Sequence, residues 1–315
     1  MRRLSGPASP IVKPLSPVEP DTSAGKRGHP RSNRWLALMA WWSFLIALFS
    51  GVILSFVYRP WGDVYATVSQ LTGWRPYGSF FRNIHYLSGQ LFLLFTIAHT
   101  AEHVWRRSFQ QIRAMDWTRL VCLFLLAFPL IFTGFILKGD KEGIMAGRIL
   151  AALVAEIPRI GSALGAVLIR PGEDFFLLPY LHHTVILPLA VVFLFITHQR
   201  RLLPGKQWGL VLTVVIAVGA LFYPLPADIP PRADGGIVTG PWFFHGIQFL
   251  LQFGPALWVG IIWPLLPLVL LTLLPLVPER LISSAVWLTA VLWLTHAICL
   301  VIGWISLSTA MGGGG

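Results

Sequence analysis

Two apolar stretches of this sequence hold an imidazole at each end. Residues 84–103 read IHYLSGQLFLLFTIAHTAEH and residues 183–198 read HTVILPLAVVFLFITH. The step from His85 to His99 is 14 residues. At about 100° and 1.5 Å per residue it returns to within about 40° of the same helix face, roughly 21 Å further on. His183 and His198 are 15 apart, which returns to within about 60° after about 22 Å. A neutral imidazole is a common metal ligand. A lone histidine in such a helix can equally well hydrogen-bond to its neighbour. Four at matched spacings on two segments point to paired ligands instead.

The elements that must carry them are membrane helices. The chain has 315 residues, 55% hydrophobic and 12% charged, which excludes an ordinary soluble domain. Runs over 35–57, 84–105, 117–137, 179–199, 208–226, 253–277 and 282–307 approach or exceed the roughly 20 apolar residues that cross about 30 Å of hydrocarbon. The pattern predicts an all-α polytopic membrane protein of about seven transmembrane helices. With the N-terminus in the cytoplasm, 15 of the 24 Lys+Arg and 5 of the 13 Asp+Glu fall on the cytoplasmic side. The net charge of +11 is then a positive-inside signature and not a nucleic-acid footprint. The placement expected is a multi-pass protein of a bacterial inner membrane, in contact with lipid.

Successive spans alternate in direction, so 84–105 and 179–199 run the same way and their histidines match in level. His85 can face His183 near the outer side, and His99 can face His198 near the inner side. Two haems, each held between imidazoles from diagonally opposed helices, fit the centre of a four-helix bundle. His182 points about 100° away from His183, so one of the two sits on the haem face. His103, one turn beyond His99, competes with it for the inner position. His245 and His296 have no partner at a matching level.

Residues 1–34, with six Pro, five Ser and seven Lys+Arg, read as a disordered basic cytoplasmic arm. The four-helix diheme part spans 35–203 and a three-helix part spans 204–315. Between the third and fourth runs, residues 144–170 are amphipathic and broken by Pro158 and Gly161, which predicts two short interfacial helices. Residues 224–246 are turn-rich and predict a structured covering loop. Cys122 and Cys299 form no CxxC pattern and read as buried small residues.

The motifs SGVILSFVYRP (50–60), FRNIHYLSG (81–89), TGF (133–135), IPRIGS (157–162) and LHHTVILPL (181–189) resemble the cytochrome b family of quinol-oxidising bc-type complexes, in its plastid-type form. The resemblance implies His85 and His183 as ligands of an outer, low-potential haem b, and His99 and His198 as ligands of an inner, high-potential one. It makes Arg82 a haem-propionate partner, and Gly51 and Gly134 the glycines that let helices close on the outer haem. The family's inner glycines fall on Ala37 and Leu120. Residues 204–315 resemble the family's separate three-helix subunit, here fused to the first part.

In that family a Pro-Glu-Trp-Tyr loop supplies a proton acceptor for quinol. This chain has Gly240, Pro241, Trp242 and Phe243 there. Trp242, Phe243 and Glu173 are the quinone-site candidates, with Asp174 and Asp234 as further acids able to replace the missing glutamate. The function expected is a diheme cytochrome b that carries electrons between a quinone pool and a partner redox protein. Iron–sulfur or c-type cytochrome subunits, multihaem ones included, would be its partners, in the homodimeric state of the family. The alternative is the membrane anchor subunit of a dehydrogenase or reductase without bifurcating quinol oxidation.

Overall fold

The computed structural model describes residues 34–73, 77–199, 203–223, 225, 228–234 and 238–312. Apart from Arg34, the expected basic arm lies outside them. Every regular element among the described residues is helical. In chain order they are α1 (Arg34–Ser55), α2 (Val64–Gly73), α3 (Tyr77–Trp105), α4 (Ala114–Ile136), α5 (Lys141–Ala155), α6 (Gly161–Leu168), α7 (Leu177–Leu181), α8 (Leu187–Gln199), α9 (Lys206–Phe222), α10 (His245–Leu250), α11 (Trp263–Leu273) and α12 (Glu279–Gly312).

Among the described residues, five helical stretches are by length and composition apolar enough to cross a membrane: Arg34–Ser55, Ala114–Ile136, Leu177–His198, Leu257–Leu276 and Glu279–Thr309. The sequence predicts about seven. The other two expected spans are α3 and α9, which fall short of that mark by composition or length. At 29 residues, α3 is about 43 Å long, but its histidines, serines and threonines dilute its apolar content. The other, α9, is apolar over only 17 residues. The outward faces are apolar as well: Leu189 and Phe193 on α8 and Leu288, Val291 and Leu294 on α12 are exposed. So broad an apolar exterior is untenable in water and marks a protein embedded in lipid.

The core of the bundle is α1, α3, α4 and the continuous α7–α8 rod. Small polar residues let these helices approach. Ser88, Thr96 and Thr100 on α3 return their hydroxyls to the carbonyls of Ile84, Phe92 and Thr96 at 2.6, 2.7 and 2.9 Å. Their polar atoms are thereby satisfied inside α3 and their short side chains leave room for the neighbouring helix. Between α7 and α8 the rod widens into a π-helical turn, His182–Ile186. Pro188 follows it, and a proline lacks the N–H that would continue regular helix pairing. The extra residue of a π turn re-aims the side chains around it, here the two adjacent histidines.

The predicted amphipathic segment forms two short helices, α5 and α6. Asp140 starts α5 by accepting the Gly143 N–H at 2.8 Å. The C-terminal helices pack onto the bundle through α4, where Trp117 is fully buried and donates to the Leu271 carbonyl at 3.0 Å. The Asn83 amide of α3 donates to Ala220 and Tyr223 at the end of α9 at 2.8 and 2.9 Å.

Candidate haem sites

His85 of α3 and His183 of the π turn face each other with ring centroids 5.8 Å apart and planes at 79°. Each ring is held in the same way. The Nδ1 of His85 lies 2.9 Å from the Ala47 carbonyl of α1, and that of His183 lies 2.9 Å from the Leu130 carbonyl of α4. A carbonyl can only accept, so each Nδ1 carries the proton and each Nε2 keeps its lone pair free. A metal-binding imidazole is oriented by this kind of bond. Ser50 and Thr133 place hydroxyls 3.4 Å from the same Nδ1 atoms.

The glycines explain how the rings come so close. A Cβ on Gly51 would stand 2.9 Å from the His85 ring, and one on Gly134 would stand 2.6 Å from the His183 ring. Both are closer than side-chain carbons pack. On each side the carbonyl acceptor sits four residues before the glycine and the hydroxyl one before it. Sequence comparison of the halves reveals no repeat, yet the structure uses this device twice.

A cavity of about 230 Å³ adjoins the pair, lined by both histidines, both glycines, Arg82, Lys138, Tyr58 and Tyr180 among others. Arg82 donates to Asp228 at 2.7 Å and to the Thr72 hydroxyl at 2.8 Å. Lys138 pairs with Asp140 and Glu142 at 2.8 and 2.9 Å. Burial by itself would lower the Lys138 pKa, but the two carboxylates beside it hold it above the usual lysine value. Tyr58 stacks on Tyr180 at 5.5 Å. Burial pushes its hydroxyl well above the ordinary tyrosine range, with Tyr180 adding to the shift. That hydroxyl has no hydrogen-bond partner among the described residues.

At the other level three imidazoles gather. The rings of His99 and His103 meet at 4.6 Å and 89°, and both lie within electrostatic reach of His198. The Nδ1 atoms of all three are buried and without a hydrogen-bond partner among the described residues. Leu120 packs at this end into a cluster with Trp117, Val121, Phe124 and Leu271.

His182 turns its Nδ1 to the Leu178 carbonyl of its own helix at 2.7 Å, away from the cavity that His183 lines. Phe243 is buried against α4, and Trp242 donates to Gln90 of α3 at 2.7 Å. Glu173, Asp174 and Asp234 are all exposed and do not line the cavity beside the His85–His183 pair. Residues that sequence reasoning did not single out include Ser50, Thr133, Tyr58, Lys138, Asp228 and Glu142. For the first two a signal was available: a hydroxyl residue precedes the glycine in both SGV and TGF.

The donor set suits a haem. Free Nε2 lone pairs facing one another, glycine-lined walls, cationic side chains at the cavity and an orphaned tyrosine hydroxyl all fit at the first pair. Three buried imidazoles with unsatisfied nitrogens fit at the second level. The fold and these sites define a polytopic helical membrane protein built to grip a planar redox cofactor between imidazoles.

Comparison with known proteins makes this specific. A profile described as Cytochrome b/b6/petB matches residues 32–203, more than half of the sequence, and the chain belongs to the cytochrome b/b6 family. It is a haem-binding, electron-transferring component of the bc type. The cytochrome b6 of Heliobacterium modesticaldum is 28% identical over 159 residues, covering 49% of this chain and 75% of that protein. The cytochrome b6 of Heliomicrobium gestii is 25% identical over the same length. In fold, the chain is similar to one from a "Hyperthermophilic respiratory Complex III", with a TM-score of 0.63, 17% identity, and coverage of 88% of this chain and 90% of that one.

Proposed function

We propose that this chain is a diheme cytochrome b that carries electrons across the membrane between quinol or quinone and a partner redox protein of a respiratory complex. The observation that carries the proposal is the His85–His183 pair, with each Nδ1 fixed by a carbonyl of the facing helix and each Nε2 left free beside a glycine-lined cavity. In this reading His85 and His183 hold the first haem b, and His198 holds the second together with His99 or His103.

A bound haem would supply a reversible one-electron change at its iron; the protein supplies binding, orientation and burial. The Ala47 and Leu130 carbonyls set the tautomer and lock ring rotation. Gly51 and Gly134 admit the rings between the helices. Arg82 and Lys138 put positive charge where haem propionates would lie, and Arg82 would then divide its donors between Asp228 and a propionate. The apolar bundle excludes water. Two levels about 21 Å apart along α3 give an electron short hops through a low-dielectric slab.

Residues 204–315 act in this reading as the counterpart of a separate three-helix subunit, and iron–sulfur or c-type cytochrome proteins act as partners. A redox-titrated visible spectrum of the purified protein, with haem-to-protein stoichiometry, tests the proposal. The expected result is two b-type haems per chain. A stoichiometry of one or none overturns the diheme reading.

A further inference from the structure

The loop of residues 238–244 has no carboxylate of its own; of the acids before it, Asp234 is exposed and Asp228 is bound to Arg82. A different acid reaches it in space. On α5, Glu142 accepts the Thr239 hydroxyl at 2.6 Å through Oε1 and the Lys138 ammonium at 2.9 Å through Oε2. Its side chain is 18% exposed. Thr239 belongs to the loop, and Lys138 lines the cavity of the His85–His183 pair. One carboxylate therefore joins the loop to the edge of the first haem site.

Between α5 and the loop lies a small enclosed cavity of about 10 Å³, and Glu142 is the sole ionisable residue of its lining. The other walls include Met145, Ile149, Val238 and Phe244. A cavity of this size admits about one water, which extends the reach of the carboxylate by one hydrogen bond. Each carboxylate oxygen has two acceptor sites, so both oxygens of Glu142 keep capacity beyond the bonds they already make.

We infer that Glu142 is the proton acceptor for quinol at this chain's outer site, in the seam between α5 and residues 238–244. The inference rests on the quinol-linked reading above. The apolar walls suit the rim of a quinol ring docked against the seam, and its hydroxyl would meet the carboxylate directly or through one water. The quinol O–H bond breaks, an O–H bond forms on Glu142, and the quinol is left as its monoanion. Glu142 then yields the proton to solvent and regains its ion pair with Lys138. The seam thus separates the proton, taken by Glu142, from the electron, whose acceptor in this reading would be the haem held by His85 and His183.

The test uses the full chain in its native membranes, reduced in turn by decyl-ubiquinol and menadiol and followed at the haem absorbance across pH. Glu142→Gln keeps the shape and the Thr239 bond but cannot take a proton. It should slow quinol-driven haem reduction at neutral pH by about 10²–10⁴-fold, the usual range for a positioned acid–base group. Its haem content and dithionite-reduced spectrum should stay unchanged, while the loss of the carboxylate charge beside Lys138 allows a small shift in the potential of the first haem. Glu142→Asp should recover part of the rate with a displaced pH profile, and Glu156→Gln, exposed just beyond α5, should match the parent. A Glu142→Gln rate close to the parent's, with the same pH profile, overturns the inference. So does a rate loss that tracks loss of haem, which makes Glu142 structural. If the parent itself is reduced by dithionite but by neither quinol, the quinol-linked reading fails instead.

Discussion

At the level of His85 and His183, each ring donates a hydrogen bond from Nδ1 to a carbonyl of the facing helix. At the level of His99, His103 and His198, every Nδ1 is buried without a partner. The first level has a glycine behind each ring and an open cavity beside it. The second has the bulk of Leu120 packed at its end and a third imidazole pressed edge-on against His99. Rings fixed before a ligand arrives lose little freedom on binding it. Buried rings that make no such bond among the described residues are less firmly held. In the proposed reading the first site is preformed and the second is completed by its ligand.

The largest effect expected from breaking this contrast is at the first level. His183→Leu removes one of two facing lone pairs and leaves the second level untouched, so haem content should fall from two per chain to one. Visible spectra with iron analysis read the outcome; retention of both haems in this variant would refute the pairing. Next in size is a choice within the second level. His99→Leu should remove the second haem, while His103→Leu should keep it with a moved potential, because the step from His85 to His99 nearly matches that from His183 to His198. Loss of the second haem in His103→Leu and its retention in His99→Leu would transfer the ligand role to His103.

The sequence made the histidine levels legible because helical periodicity converts spacing directly into face and height. It also gave the all-helical membrane class and the two short helices of 144–170, since apolar run length and interrupting charge are local properties. What it did not give depends on turns and on distant pairs. The π turn at His182–Ile186 changes which of two adjacent histidines faces inward, and Pro188 is only a weak local hint of it. Glu142 meets Thr239 across 97 positions of chain, and Asp228 reaches Arg82 across 146, contacts that no periodicity encodes. Of the seven expected spans, α3 and α9 are the least conspicuous by composition and length: α3 spends part of its surface on the polar residues that build the sites, and α9 is apolar over only 17 residues.

The finest test compares the two glycines, which serve one geometric purpose at unequal clearance. A Cβ at position 134 would stand 2.6 Å from the His183 ring, against 2.9 Å for position 51 and the His85 ring. Neither ring can retreat freely, because its Nδ1 is bonded to a carbonyl on the very helix that carries the glycine. An added methyl must therefore either break that bond or push the helix away, an overpacking cost of about 1–3 kcal/mol. Gly134→Ala should sit at the upper end of that range and Gly51→Ala nearer the lower, with thermal unfolding in detergent reading the order. The same two variants should shift the potential of the first haem while leaving that of the second in place. Equal melting temperatures for both variants and the parent would mean that the rings swing aside at no cost, and the first site would then be no more preformed than the second.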